Sequence, residues 1–512
     1  MRPTAITSPW LLAALSAALY FASFPPVDAG TVAFVAIVPL LLALRRASRR
    51  RAFLLAWFAG TVLSTSLVSA SIYEAAARYF GDRGIVLLLF ALIIPQIYGA
   101  LYFALFGLLA CGWERRSAAA ALVLVPAAWT ACEFARASIG FGTPWCLLGH
   151  SQHERLWLIQ VADLGGVFAA TFVVAAVNTF VALILAKPWG PRRGTALAAA
   201  MTAALLAIVW SYGARQLARW QRPAGVPLRV ALVQPNLETR RRASLSELPS
   251  NLRRLLELSA RVQDDGISGP PIDLIVWPEN AVGFSMAANG ALLRRATEAL
   301  PPGGRLLLGA PREIEAAGKV VFRNSAFLLD RAGEIVGTYD KRRLTPFAET
   351  SPWSRLPLLR RRFAAGDVYI PGDRYVLLDV KGSRFGVLIC YEAIYPDLTR
   401  PLVLGGAKFL VNISNDDWFA ERAALTQHLD AALFRAVESR RFLLRATNSG
   451  VTAVIDPRGA VIASARPAEA AALTAAIVPI EERTVYSLTG DAFAWGCVLM
   501  AAISLLAPRR EP

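Results

Sequence analysis

The sequence predicts a multi-span α-helical membrane domain, an extracytoplasmic α/β domain after it, and one closing membrane helix. Three observations carry this fold class. Long uncharged runs fill residues 9–212, a charged and strand-rich region follows to about 489, and one apolar run ends the chain. The 512 residues are 55% hydrophobic with a mean hydropathy of +0.44, too apolar for an ordinary soluble enzyme.

Crossing a bilayer takes about 20 apolar residues. Candidate spans centre on 9–24, 31–44, 52–70, 84–112, 118–135, 156–186, 195–212 and 491–507, eight in all. Pro95 inside the long fourth run predicts a kinked or tilted helix. The loops give the orientation. Arg2, Arg45, Arg46, Arg49, Arg50, Arg51, Arg115, Arg116, Lys187, Arg192, Arg193, Arg509 and Arg510 flank one side of these spans. Only Arg78, Arg83, Arg136 and Arg155 flank the other, and thirteen against four is the bias of positive-inside topology. Both termini are therefore expected in the cytoplasm. The expected domains are 1–215 with seven spans, 225–485 outside the membrane, and 490–512 as the last span and tail. The absence of a small-residue cleavage pattern after the first run predicts that span one is retained. The net charge of +17 lies largely in these loops without a recognition helix or stacking motif, so nucleic acid is not an expected partner.

In the outward region, Leu228–Gln234, Leu274–Trp277, Arg305–Leu308, Ser325–Leu329, Arg384–Cys390 and Phe409–Asn412 are short apolar runs bounded by turn residues, the pattern of buried strands. Residues 251–263, 291–299 and 425–439 carry helical patterns. Strands buried on both faces with interleaved helices predict an α/β sandwich.

Three reactive side chains end strand-like runs. Glu279 follows Leu274-Ile-Val-Trp-Pro278, Lys341 follows Glu334-Ile-Val-Gly-Thr-Tyr-Asp340, and Cys390 ends Gly386-Val-Leu-Ile. Strand ends are where catalytic groups gather in α/β sheets. A carboxylate takes a thiol proton, the thiolate attacks a carbonyl, and an ammonium stabilises the oxyanion. Histidine fits the base role poorly. His150 and His153 lie in the membrane part, and His428 opens a helical pattern. Cys111, Cys132, Cys146 and Cys497 fall in or near apolar runs and read as packing residues. Glu133 and Arg136, near a span end, are spaced to pair with each other.

At these residues the chain resembles the nitrilase (carbon–nitrogen hydrolase) superfamily, and with eight spans around them the apolipoprotein N-acyltransferase family of bacterial inner membranes. The resemblance rests on Val233-Gln-Pro-Asn236, Trp277-Pro-Glu279, Asn324-Ser325, Tyr339-Asp-Lys341-x-x-Leu-x-Pro-Phe347-Ala-Glu349, Cys390-Tyr-Glu392 and Ser414-Asn-Asp-Asp-Trp418-Phe. It continues through His428, Arg435-Ala-Val-Glu438 and Arg445-Ala-Thr-Asn-Ser-Gly450. In the membrane part Glu133, Pro144-Trp145 and Gly149-His-Ser-Gln152 match.

The resemblance implies an αββα catalytic domain facing the periplasm and a ping-pong acyl transfer. Glu279 would activate Cys390, which takes the sn-1 acyl chain of a membrane phospholipid as a thioester. The α-amine of a diacylglyceryl-modified cysteine on an apolipoprotein would then receive it, with Lys341 holding the oxyanion. Glu349, Tyr391 and Glu392 match positions that support the triad, Glu349 near the base and the acceptor amine, and Trp418 reads as either pocket wall or core. The resemblance implies no metal and no organic cofactor. The partners it implies are the phospholipid donor, the apolipoprotein acceptor and the bilayer itself.

Residues 351–372 mix apolar and basic side chains, the pattern of an arm at a lipid interface. Leu358, Leu359 and Phe363 are expected in the acyl region, and Arg360 to Arg362 near phosphates. Some positions depart from the family pattern. Ala348 stands where glycine is usual, Asn280-Ala-Val-Gly283 replaces Thr-Ala-x-Pro, and Arg240 to Arg242 with Ala243 occupy a stretch where a tryptophan is usual. These departures keep a membrane-tethered amidase, or an acyltransferase with another amine acceptor, as the alternative. A transporter is disfavoured, because the spans show no paired, Gly/Pro-broken repeat and few intramembrane charges. A catalytically dead scaffold would leave the Glu-Lys-Cys set without a purpose.

Overall fold

The computed structural model describes residues 8–69, 73, 84–140, 142–186, 192–237, 248–264, 271–282, 294–295, 297–298, 300–316, 318–346, 349–350, 369–419 and 422–506. They form two compact units. One holds the described residues up to Ala218 and those from Thr489 onward, and the other is Arg219–Leu488.

The first unit is helical: α1 (Pro9–Ala22), α2 (Val38–Leu44), α3 (Arg49–Ser64), α4 (Ile85–Pro95), α5 (Leu101–Ala110), α6 (Ala118–Ser138), α7 (Val167–Ala186), α8 (Arg192–Arg219) and a closing helix, Ala492–Leu506. Among the described residues three helices are long and apolar enough to cross a membrane: Ala118–Ser138, Val167–Ala186 and Gly194–Arg219. Shorter apolar helices run Pro9–Ala22, Val32–Leu44, Leu156–Gly165 and Ala492–Leu505.

Two predicted spans are interrupted helices. In the fourth run, α4 passes through a π turn at Gln96–Ala100 into α5. Pro95 removes a backbone donor there, so the helix widens locally instead of simply bending. In the sixth run, the short turns Leu156–Ile159 and Ala162–Gly165 precede α7, and the chain breaks at Gly166 with φ +65°.

Buried polar side chains hold this unit together. Asn178 on α7 donates through Nδ2 to the carbonyls of Ala33 (2.8 Å) and Val174 (2.9 Å) and accepts from the Ile37 N–H (2.9 Å). Glu133 on α6 accepts from the Tyr20 hydroxyl (2.9 Å), the Leu148 N–H (2.8 Å) and the Thr171 hydroxyl (2.9 Å). Arg136, spaced in sequence to pair with Glu133, donates to the Trp145 carbonyl at 2.8 Å. Glu133 thereby ties α1, α6, α7 and the 148–152 turn to one point.

Among the described residues the second unit has twelve strands: β1 (Leu228–Gln234), β2 (Leu274–Val276), β3 (Arg305–Ala316), β4 (Lys319–Leu329), β5 (Ile335–Asp340), β6 (Leu377–Val380), β7 (Ser383–Ile389), β8 (Phe409–Ser414), β9 (Leu443–Thr447), β10 (Ala453–Ile455), β11 (Val461–Ser464) and β12 (Ala471–Ile477). They form two six-stranded sheets, ordered β12-β1-β2-β3-β4-β5 and β11-β10-β9-β8-β7-β6. The centres are parallel, β1 to β2 to β3 in one sheet and β7 to β8 to β9 in the other.

Strand alternation builds the layers. Val230, Leu232, Leu274, Val276 and Leu307 of the first sheet share a buried core with Phe385, Val387, Ile389, Val411 and Leu444 of the second. The alternate residues Ala231, Val233, Ile275 and Trp277 face Leu252, Leu255, Leu258 and Val262 of α9 (Leu248–Asp264). On the second sheet, Gly386 turns to Leu402 of α10 (Pro396–Leu404), where an added Cβ would sit 2.9 Å away. Helix α11 (Arg422–Ser439) packs over β9 and the turn after β7. The unit is an αββα sandwich.

Leu232 is fully buried between the sheets. Leu232→Ala should lower the stability of the full chain in detergent by about 2–5 kcal/mol, read by urea unfolding. A loss under about 1 kcal/mol would mean that the sheets do not form the tight interface described.

Candidate active site

The parallel strands β2, β7 and β8 and the antiparallel β5 end together, and the functional side chains follow those ends. Trp277 and Pro278 lead from β2 into Glu279, which is 6% exposed. Gly309 on β3 passes so close that a Cβ there would lie 2.6 Å from the Glu279 Cα. Glu279 Oε1 accepts from Asn324 Nδ2 at 2.7 Å and from Lys341 Nζ at 3.3 Å. Its Oε2 accepts from the backbone N–H of Asn415, just beyond β8, at 2.8 Å.

Lys341 follows β5, and its N–H donates to the Asn324 carbonyl on the neighbouring strand (2.8 Å). Its ammonium, 1% exposed, reaches Glu349 Oε2 (2.8 Å), Thr345 Oγ1 (3.1 Å) and Glu279. Burial alone would pull its pKa down, but the charges of Glu279 and Glu349 outweigh it and hold the ammonium well above the ordinary lysine value. Burial likewise pushes Glu349 up, and Lys341 with hydrogen bonds from Thr345 and Asn324 brings it below the usual carboxylate range. Asn324 Nδ2 also donates to Glu349 Oε1 (2.6 Å), so one amide bridges both carboxylates.

Cys390 follows β7 and opens a short 3₁₀ turn, Cys390–Ile394. Its φ of +53° is left-handed, a conformation that costs a non-glycine residue about 1–3 kcal/mol. The thiol is 8% exposed and has no disulfide partner. Burial pushes its pKa up, the Glu279 charge pushes it further, and Lys341 and a hydrogen bond with Ser414 only partly offset this. The thiol is therefore protonated at rest, with a carboxylate and an ammonium in electrostatic range.

Glu392 fixes this elbow to the lysine. Fully buried, it accepts from the N–H groups of Arg342 (2.7 Å), Arg343 (3.1 Å) and Ile389 (2.7 Å), and from the Tyr339 hydroxyl at 3.0 Å. Burial holds its carboxyl above the usual range despite the donors around it. Tyr391 stacks edge-on against Tyr395, with ring centroids 5.2 Å apart, and Arg343 lies 4.1 Å over the Tyr395 ring.

Glu279, Lys341 and Cys390 thus lie together, as the strand-end pattern predicts, and Glu349 and Glu392, named by the resemblance, lie beside them. Leu358, Leu359, Phe363, Phe347 and Ala348 lie outside the described residues, as does the side chain of Trp418. The sequence reading gave no role to Asn324, Thr345 or Asn415, whose contacts are non-local and leave no periodic signal. It also gave none to the network below Cys390. There Arg445 holds Asn412 and Asp416, the latter at 2.5 Å, and stands 3.1 Å from His428 Nδ1. His428 sits inside α11 rather than at its start. The site's carboxylates face an ammonium, an amide and backbone N–H groups, a set suited to holding charge for acyl transfer. Asp28, His153 and Glu154, in the helical unit, converge within 4.8 Å in a manner compatible with a cation.

Burial pushes Asp416 up, but the Arg445 guanidinium outweighs it and holds this carboxyl well below the usual range. A depressed carboxylate adds stability that is present above its unfolded pKa, about 3.9, and lost as pH falls toward the folded value. The stability gap between the native chain and Asp416→Asn should be constant from pH 7 to 5. Below about pH 4 it should shrink by roughly 1.4 kcal/mol per pH unit, read by denaturant unfolding. A gap unchanged down to pH 2.5 would contradict the ion pair.

The carbon–nitrogen hydrolase model matches residues 229–484, and the model of the apolipoprotein N-acyltransferase N-terminal domain matches residues 16–180. The chain is 32% identical to an apolipoprotein N-acyltransferase of Geobacter metallireducens, covering 98% of this chain and 96% of the relative. It is 34% identical to one of Azotobacter vinelandii, covering 93% and 90%. Among solved structures, an amidase from Nesterenkonia sp. aligns with a TM-score of 0.37 and 19% identity, over 54% of this chain and 97% of that one. With its Glu-Lys-Cys strand ends and matches along nearly its whole length, the chain belongs to the apolipoprotein N-acyltransferase family of the nitrilase superfamily.

Proposed function

We propose that this chain transfers the sn-1 acyl chain of a membrane phospholipid to the α-amine of an N-terminal diacylglyceryl cysteine on apolipoproteins. The supporting observation is the convergence of Glu279, Lys341 and Cys390 in a chain related to N-acyltransferases over almost all its residues.

In the first half-reaction Glu279 takes the Cys390 proton as Sγ attacks the ester carbonyl, and Lys341 holds the oxyanion. The tetrahedral species collapses with cleavage of the ester C–O bond, and the proton on Glu279 goes to the departing lysophospholipid alkoxide. In the second, the acceptor nitrogen attacks the thioester and loses its proton to Glu279. The C–S bond breaks and the thiol is restored. Glu349, beside Lys341, faces the position of the incoming amine. Tyr391 and Glu392 support the elbow, and Trp418, Leu358, Leu359 and Phe363 contact lipid.

The topology belongs to the same proposal. Eight spans put both termini in the cytoplasm of a bacterial inner membrane, with 1–215 and 490–512 as the membrane parts and 225–485 as the periplasmic catalytic domain. The arginine-rich loops support it.

Incubation of the purified chain with phospholipid and a diacylglyceryl peptide should yield N-acyl peptide and lysophospholipid. Free fatty acid or ammonia without N-acyl peptide would favour the amidase reading. With donor alone, mass spectrometry should find one acyl chain on Cys390, absent in Cys390→Ala. Glu279→Gln should slow its formation by about 10²-fold or more, and a Gln variant acylated at the native rate would remove Glu279 from the base role.

A further inference from the structure

Lys341 is followed by two arginines in different circumstances. Arg343 lies over the Tyr395 ring, and its Nη2 pairs with Asp397 Oδ2 at 2.7 Å. Arg342 lies over the Tyr375 ring, its guanidinium carbon 3.6 Å from the centroid. Its side-chain Nε is buried without a hydrogen-bond partner. Among the described residues no carboxylate pairs with this guanidinium, and the nearby ones are already matched. Glu279 and Glu349 face Lys341, Asp340 takes Arg312 and Arg323, and Glu392 accepts backbone N–H groups.

Arg342 is held next to the reacting groups. Its N–H donates to Glu392 Oε1 at 2.7 Å, and Glu392 Oε2 accepts from Ile389, the residue before Cys390, at 2.7 Å. Its Cα follows that of Lys341 by about 3.8 Å along the chain. Tyr375 stands two residues before Leu377, which pairs with Gly386 in the antiparallel β6–β7 ladder, so the chain at Tyr375 runs toward the Cys390 end of β7. The ring fixes the plane of the guanidinium and leaves its edge to a further partner.

A partly buried cation without a counter-ion is costly, and a guanidinium edge offers paired donors that match two phosphate oxygens. The donor lipid carries such a group. Only the glycerol carbons separate its sn-1 ester from its phosphodiester. We infer that Arg342, stacked on Tyr375, binds the phosphodiester of the acyl donor while the sn-1 ester enters between Lys341 and Cys390. This rests on a phospholipid being the donor. A diacylglyceryl cysteine carries no phosphate, so Arg342 serves the first half-reaction and not the second.

The test follows acylation of Cys390 by mass spectrometry as phosphatidylethanolamine in mixed micelles is varied, for the native full chain, Arg342→Gln and Arg342→Lys. Arg342→Gln should need about tenfold more phospholipid for half-maximal rate, with the saturated rate within about twofold, because a contact to a non-reacting phosphate is made equally before and during attack. Arg342→Lys keeps the charge without the fork and should fall between the two. Chain loaded with acyl by prolonged incubation then meets diacylglyceryl peptide, and both variants should transfer within about twofold of the native rate. If the Gln variant does not fold, the Lys variant carries the comparison. Variants with the native phospholipid dependence, or slowed equally in both half-reactions, overturn the phosphate contact while leaving the acyl-transfer reading intact. Millimolar inorganic phosphate should leave the native rate unchanged. Inhibition by it that Arg342→Gln abolishes assigns the site to the free ion and overturns the lipid assignment. A native chain that phospholipid never acylates overturns both readings.

Discussion

Two buried carboxylates cross from one sheet to the other, and the site depends on them. Glu279, beyond β2 of the first sheet, accepts the Asn415 N–H beyond β8 of the second. Glu392, beyond β7 of the second sheet, accepts the N–H groups of Arg342 and Arg343 beyond β5 of the first. The exchange is reciprocal. Apolar packing between sheets tolerates small sliding, because dispersion is not directional. Hydrogen bonds to a charged acceptor are directional and contribute about 1.5–3 kcal/mol each. The sandwich core therefore supplies cohesion, and the two glutamates tie together the strand ends that carry Glu279, Lys341 and Cys390.

Between these stitches the charges are arranged to tolerate burial. Two carboxylates flank one ammonium, and a single amide nitrogen of Asn324 is shared by both. An unpaired buried ion is costly, and each of these groups meets an opposite charge or a hydrogen-bond donor inside the site. The helical unit uses the same device more sparingly, with Glu133 and Asn178 each satisfied by three hydrogen bonds, most of them from other segments of the chain.

The fold was legible where the sequence is strongly patterned. β1 and its neighbour strands are short, mostly apolar runs, and Glu279, Lys341 and Cys390 stand out as polar residues that follow such runs. β12, Ala471-Ala-Leu-Thr-Ala-Ala-Ile477, was missed because alanine has little strand preference and the segment gains its shape by pairing with β1. β9 was missed because Arg445 interrupts its apolar pattern, although that arginine is fully buried against Asn412 and Asp416. The π turn after Pro95 shows the same limit. A proline announces a disturbance in a helix but not which form the disturbance takes. Supporting residues such as Asn324 and Asn415 act through contacts between segments far apart in the chain, and no local pattern encodes those.

The raised pKa of Cys390 has a consequence for the enzyme between turnovers. Oxidants and stray disulfides react with thiolate, and a buried thiol kept protonated offers them almost none. In the proposed cycle the thiolate arises only as Glu279 takes the proton during attack on the acyl donor. Burial, which makes the sulfur a poor nucleophile in isolation, therefore also shields it from oxidation at rest.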